Sequence, residues 1–316
     1  MELLLIGMSR FARRRVLPAL ALLDEIEIVH VASSRADVET GGPLPKLGRI
    51  YRDWREALDD IEPGLVYVSL VNSQHAAAVQ RALEQGHHVV VDKPGLLDLK
   101  TAKETVSLAL SSGLIVAEAN CYGFHPMFSA VRSVLQSLDA EVTKAVALFT
   151  PPVPVTDFRY NRQLGGGALL DTGPYMASLG RVLWEVEPER LEVIVGDRTS
   201  DSLETSYSVL AGYPGGRAVV GHFGFTTVYQ NNLRLLGKAC ALEINRPFSA
   251  PPDMKVEISV QSDGQHYRHS VEPADSMRIF LSRVLEAVNT GSREFDGALL
   301  SDARTLDRLA REASRP

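Results

Sequence analysis

Leu65-Val66-Tyr67-Val68-Ser69-Leu70-Val71-Asn72-Ser73-Gln74-His75, running on to Gly86-His87-His88-Val89-Val90-Val91-Asp92-Lys93-Pro94, reads as strand, helix, strand. The two strand runs are almost continuously apolar, as strands covered on both faces are. Residues 73–85 between them carry a helical pattern, with Ser73 at the N-cap position. A lysine followed by proline at the carboxyl end of a buried parallel strand stands where doubly wound sheets bind their ligands.

The pattern repeats outward. Residues 2–6 form a short apolar strand, Gly7-Met8-Ser9-Arg10-Phe11-Ala12 a turn, and 13–20 a helix. This is the position of a dinucleotide fingerprint, whose glycines permit a tight turn, close approach to pyrophosphate and close helix packing. Only the first glycine is present; Ser9 and Ala12 hold the second and third places. The Ser9 hydroxyl can donate to phosphate, and the segment also reads as an ordinary strand-turn-helix. The next strand, 26–32, ends in Ser33-Ser34-Arg35 with no acidic residue for a ribose 2'-hydroxyl. A guanidinium pairs well with a 2'-phosphate, so NADP is expected over NAD, unless Arg35 simply faces solvent. Helices at 53–58, 73–85 and 99–111 alternate with strands at 65–71, 88–91 and 114–118. Such alternation predicts an α/β, Rossmann-type doubly wound parallel sheet over residues 1–120.

From residue 121 the pattern changes. A helix follows Pro126, and short strands then dominate: 142–149, 191–195, 206–210, 217–223, 232–236, 241–244 and 256–260. Strands in a block separated by turn residues predict a C-terminal α+β domain, 121–316, with a large, mostly antiparallel open sheet. Two helices, 277–288 and 299–313, close the chain.

The composition fits an enzyme of two domains: 316 residues, 45% hydrophobic and 23% charged. A formal net charge of -6 gives no basic surface for nucleic acid. No apolar run approaches the roughly 18 residues of a membrane span, and the first residues lead into a strand rather than a signal peptide, so a cytoplasmic setting is expected. Cys121 and Cys240 stand far apart without metal-ligand spacing, which supports neither a disulfide nor a metal site.

Asp92-Lys93-Pro94 after the Gly-His-His-Val turn resembles the Glu-Lys-Pro of the Gfo/Idh/MocA oxidoreductases, with aspartate for glutamate. About eighty residues on, Gly165-Gly166-Gly167-Ala168-Leu169-Leu170-Asp171-Thr172-Gly173-Pro174-Tyr175 is similar to that family's second motif, with tyrosine where histidine is usual. Asn72 and His75 resemble its Pro-Asn-x-x-His segment with Val71 for proline, and Gly123 stands where many members have arginine. The resemblance covers nearly the whole chain. It implies hydride transfer between a nicotinamide and a hydroxyl/ketone pair of a sugar or sugar-like substrate, including nucleotide-linked ones, as in the family's ketoreductases. It also implies a site in which Lys93 supplies positive charge, Tyr175 a proton, and Asp171, one helical turn earlier on the same face, orients the lysine or a substrate hydroxyl. The cofactor contacts expected are Gly7, Ser9, Arg10, Phe11, Ser33, Ser34, Arg35, Asn72, His75, Asp92 and Lys93; for His75 a structural place at a helix start is the other reading. Arg159, Tyr160 and Arg162 read as an anion clamp or as plain surface. Homo-oligomerisation as dimer or tetramer is expected. The alternatives are a polyol or cyclitol dehydrogenase of the same family, and a non-catalytic ligand sensor suggested by the altered glycine turn and by Gly123.

Overall fold

The computed structural model describes residues 1–34 and 46–315, so Arg35 lies outside the described residues. The chain divides into two compact units, one of Met1–Asn120 with Met277–Ala303, the other of Cys121–Ser276 with the chain from Arg304 on. The sequence reading had placed 277–303 with the second domain.

In the first unit, β1 (Glu2–Ile6) is followed by a π-helical turn, Ala12–Val16, that runs into α1 (Leu17–Ala21). Then come β2 (Ile28–Ala32), β3 (Leu47–Tyr51), α2 (Trp54–Asp60), β4 (Leu65–Val68), α3 (His75–Glu84), β5 (His88–Val91), α4 (Leu99–Ser111) and β6 (Val116–Glu118). The six strands pair in parallel in the order β3-β2-β1-β4-β5-β6. Leu3–Ile6, Val66–Val68 and Val89–Val91 are fully buried, because helices cover both faces of such a sheet and leave no solvent side to mark with alternation. The chain winds outward from β1 through β2 to β3, then returns to lay β4 on the other flank of β1. That reversal opens a crevice at the carboxyl ends of β1 and β4.

Two local expectations need correction. Ser73 does not cap α3: the chain makes a 3-10 turn over Asn72–Gln74 first, and no side chain caps the helix. The strand β3 was not read from the sequence, because its half-exposed edge position carries only a weak apolar signal.

The second unit holds α5 (Met127–Ser137), β7 (Val142–Phe149), α6 (Ala168–Asp171), α7 (Gly173–Trp184), β8 (Arg190–Val195), β9 (Ser206–Tyr213), β10 (Arg217–Gly224), β11 (Asn231–Gly237), β12 (Cys240–Asn245), β13 (Val256–Ser262) and β14 (Gln265–Val271). Its eight strands take the order β14-β13-β12-β11-β7-β10-β9-β8, antiparallel except for the β7/β10 pair. Alternation decides the faces: Ala145, Ala147 and Phe149 point into the core beneath Met127, Phe128, Met176 and Leu179, while Lys144 and Val146 point out. On that outer face Val146, Val220 and Leu210 stand opposite one another on β7, β10 and β9, all exposed. Two last helices, α8 (Ser276–Thr290) and α9 (Glu294–Ala313), end the chain. The edge strand β14 was missed from sequence because its polar, His/Arg/Gln-rich run has one buried residue, Val271.

Asp98 caps α4, its carboxylate accepting from the Thr101 amide and the Thr101 hydroxyl, each at 2.8 Å. The Thr101 amide is the main reason that its pKa lies below the usual carboxylate range. Asp98→Ala is expected to cost about 1 kcal/mol in a urea titration. A lowered folded pKa gives stability that is present above the unfolded pKa and lost as pH falls through the folded one, so the gap between wild type and variant should close in acid.

Candidate active site

One group of candidate site residues lies at the crevice edge of the parallel sheet. Gly7 leaves β1 at φ +90°, and a Cβ there would lie 2.3 Å from the Ser69 carbonyl oxygen, so only glycine fits. Backbone bonds fasten the crossing on both sides: the Gly7 amide donates to Ala32 O and the Ser69 amide to Ile6 O. Ser9 Oγ accepts from the Ala12 amide at 2.9 Å and touches Ser69 Oγ at 2.8 Å. Ser69 Oγ donates to Asp92 Oδ2 at 2.5 Å, and Tyr67 Oη donates to Asp92 Oδ1 at 2.6 Å. The residue Asp92 keeps some accessible surface, but its carboxyl sits deep enough that burial pushes the pKa up; Ser69 and Tyr67 pull the other way, with His75 and Lys93 nearby. Lys93 follows at the carboxyl edge of the sheet, joined to Pro94 by a cis peptide bond.

His75 is 1% exposed, with Nδ1 2.9 Å from Pro94 O and Nε2 3.1 Å from Leu70 O. Both nitrogens face backbone carbonyls, so the ring joins the turn after β4 to the loop after Lys93, a positioning role rather than a direct cofactor contact. Asn72 is buried at the start of that turn, Ser33 is buried just past β2, and Ser34, Arg10 and Phe11 are exposed. The altered fingerprint still presents what a dinucleotide needs: a tight turn opened by a glycine at the strand-order reversal and leading into a helix. Gly7, Arg10 and Phe11 of that turn, with Ser33, Ser34 and Asn72, would hold the group, and the Ser9 side chain is engaged by Ala12 and Ser69. Sequence reading missed Ser69 and Tyr67; a serine inside an otherwise apolar strand run was the available signal.

A second group of candidate residues lies in the other unit. A helix continuous through Asp171 and Tyr175 was expected, but the chain turns at Thr172, so Asp171 ends α6 while Tyr175 sits in the first turn of α7. Asp171, 7% exposed, receives the Arg159 Nε at 2.8 Å, and Arg159 also reaches Asp157 at 3.0 Å. Burial alone would lower the Arg159 pKa, but Asp171 and Asp157 outweigh it and hold the guanidinium charged. The guanidinium is therefore taken up within the protein, whereas Arg162 is exposed.

The glycine triplet makes this possible. Gly167 N donates to Arg159 O at 2.8 Å, and a Cβ on Gly166 would lie 2.5 Å from that same oxygen. Tyr175 stands in an aromatic cluster, 4.7 Å from the Phe149 ring and 5.5 Å from those of Tyr122 and Phe248. Asn231 holds Phe248 in place: its Oδ1 accepts from the Phe248 amide and its amide donates to Ser249 Oγ. Asn231, Phe149 and Phe248 carry no sequence-local mark that would tie them to Tyr175.

A doubly wound sheet with a glycine turn at its reversal and a lysine at the carboxyl edge, followed by a large open sheet, defines the nicotinamide-dependent oxidoreductases of two-domain build. Residues 1–120 match the model of the oxidoreductase family with an NAD-binding Rossmann fold, and 140–243 match the GFO/IDH/MocA C-terminal domain. The chain belongs to the Gfo/Idh/MocA family of oxidoreductases. It is 30% identical to a dTDP-3,4-didehydro-2,6-dideoxy-alpha-D-glucose 3-reductase of Actinomadura kijaniata, covering 96% of this chain and 92% of that protein. It is 26% identical to D-xylose 1-dehydrogenase (NADP(+)) 2 of Haloferax volcanii, covering 98% and 96%. Among solved structures, KijD10, a 3-ketoreductase from Actinomadura kijaniata in complex with NADP and TDP-benzene, superimposes with a TM-score of 0.89 at 26% identity, over 99% of this chain and 97% of that one.

Two outcomes test this geometry. Arg159→Met removes the guanidinium partner of the buried Asp171 carboxylate, and a loss of about 3 kcal/mol is expected in urea denaturation, with Arg159→Lys intermediate. Asp92 has the opposite sign from Asp98: a raised folded pKa means that the folded state holds the proton more firmly. Its contribution is therefore largest in acid and declines as pH rises from the unfolded pKa through the folded one. The stability of wild type relative to Asp92→Asn should shrink over that interval, read from melting temperatures.

Proposed function

We propose that this oxidoreductase is an NADP-dependent reductase of a keto group on a sugar, with a nucleotide-linked sugar as its substrate. The observation that carries the reading is the hydrogen-bonded cluster Ser9-Ser69-Asp92, which ties the turn after β1 to the residue that precedes Lys93. A phosphate-binding turn and a cation thereby share one crevice edge. The relatedness to the dTDP-sugar 3-reductase and to the NADP-bound 3-ketoreductase supports both the substrate class and the cofactor. We assign the cofactor to residues 1–120 and substrate recognition to the second unit.

When bound, the reduced nicotinamide supplies a hydride to the keto carbon. The carbonyl oxygen then gathers negative charge, and the Lys93 ammonium is the group assigned to stabilise it. Tyr175 is assigned to deliver the proton to that oxygen through its hydroxyl. The ring contacts of Tyr175 with Phe149, Tyr122 and Phe248 restrict its rotation, so the hydroxyl is aimed before substrate arrives. Asp171, held by Arg159, is assigned to a substrate hydroxyl.

The outer face of the second unit's sheet supports self-association. Val146, Val220 and Leu210 form an exposed apolar row across three adjacent strands, and such a row is best covered by a second copy. Val220→Lys is expected to convert a dimer to a monomer in light scattering; a monomeric wild type would end that part of the reading.

Fluorescence titration is expected to show NADPH bound at least about tenfold tighter than NADH, in line with the NADP carried by the related 3-ketoreductase. Lys93→Ala should keep NADPH affinity while ketone reduction on a dTDP-keto-sugar falls by about a hundredfold or more. Tighter NADH binding would reverse the cofactor assignment, and oxidation of free D-xylose in preference to the nucleotide sugar would replace the substrate class.

A further inference from the structure

Counting hydrogens around Asp92 decides what Ser9 can do. An ionised carboxylate only accepts, and a serine hydroxyl has one hydrogen to give. Ser69 spends its hydrogen on Asp92 Oδ2, and Tyr67 spends its own on Oδ1. The 2.8 Å contact between the two serine oxygens must then take its hydrogen from Ser9. Ser9 Oγ meanwhile accepts from the Ala12 amide. With Asp92 ionised, the Ser9 hydroxyl has no hydrogen left for a phosphate oxygen.

An N-cap alone would not require this. A serine that only caps its helix needs the Ala12 amide and can leave its hydrogen in water. Here the hydrogen turns inward, onto a residue 2% exposed at the end of β4, and through it to the residue after β5. The strands β1 and β5 are not neighbours in the sheet, since β4 lies between them. The side-chain chain therefore joins two strand ends that no backbone ladder connects.

We infer that Ser9, Ser69 and Asp92 form a single tie that builds the turn after β1 before any cofactor arrives, with Ser9 a positioning residue and not a phosphate ligand. The inference about the cofactor rests on the NADP reading above; the tie itself does not. Two of the departures from the resembling motifs, serine at the second fingerprint position and aspartate before Lys93, are the two ends of this tie. A glycine at position 9 would have no hydroxyl to enter it. The backbone amides of the turn, set by the tie, then carry the recognition of phosphate.

The test uses the full chain. Ser69→Ala removes the middle of the tie without touching Ala12. Amide hydrogen exchange at Ala12 in the ligand-free protein should become about fivefold faster, and Ser69→Thr, which keeps a hydroxyl, should return it to the wild-type rate. Exchange unchanged in Ser69→Ala overturns the tie. NADPH titrations of Ser9→Ala, Asp92→Ala and the double variant give the second arm. Each single change should weaken binding about fivefold and the double no more than either single one, because both cut the same tie. A double loss near the product, about 25-fold, would mean that Ser9 meets the phosphate on its own account and would overturn the positioning role. A wild type that binds neither nucleotide ends the NADP reading, while Ala12 exchange still decides the tie.

Discussion

The carboxyl end of β1 has to pass against the chain leaving β4 so closely that residue 7 can carry no side chain. That contact follows from the strand order. When the chain has wound to β3 and returns to the far side of β1, the first residues after β1 and β4 are forced past one another, and the crevice that forms is lined by whatever those residues present. Gly7 and Ser69 meet there through backbone, and Ser9 and Ser69 through hydroxyls. Asp92 and Lys93 come to the same edge because β5 pairs with β4 in register, Val68 beside Val91. Chemistry concentrates at this edge because the sheet interior offers no other place for polar groups.

Each unit solves the problem of a buried carboxylate differently. Asp92 is satisfied by two hydroxyls, neutral donors that leave its pKa raised. Asp171 is paired with the guanidinium of Arg159, itself partly covered. The second arrangement needs a backbone that brings a loop arginine under a helix end, and Gly166, where a Cβ would lie 2.5 Å from Arg159 O, permits that approach. In both places a residue that looks like part of a binding motif also does structural work: the serine of the fingerprint caps a helix, and the glycine triplet seats an arginine.

Much of the architecture was legible from pattern. Continuous apolar runs at 65–68 and 88–91 announced buried parallel strands, and a block of short strands separated by turn residues from 142 onward announced an open, mostly antiparallel sheet. The edge strands β3 and β14 were not legible, because solvent on one flank removes the apolar signal that marks a strand. The break at Thr172 was also hidden, since a short helix running into a second keeps helical spacing across the turn.

By itself the sequence determined the two architectures, the position of Lys93 after a buried strand, the glycine at the turn and the motif that holds Asp171 and Tyr175. These follow from local periodicity and from residue types whose backbone demands are their own. Only the tertiary structure decided the partners: Ser9 with Ser69 and Asp92, Arg159 with Asp171, His75 with Pro94, and Tyr175 with Phe149 and Phe248. Those pairs are separated by many residues in the chain and meet because strand order and register place them side by side, information that no local pattern contains.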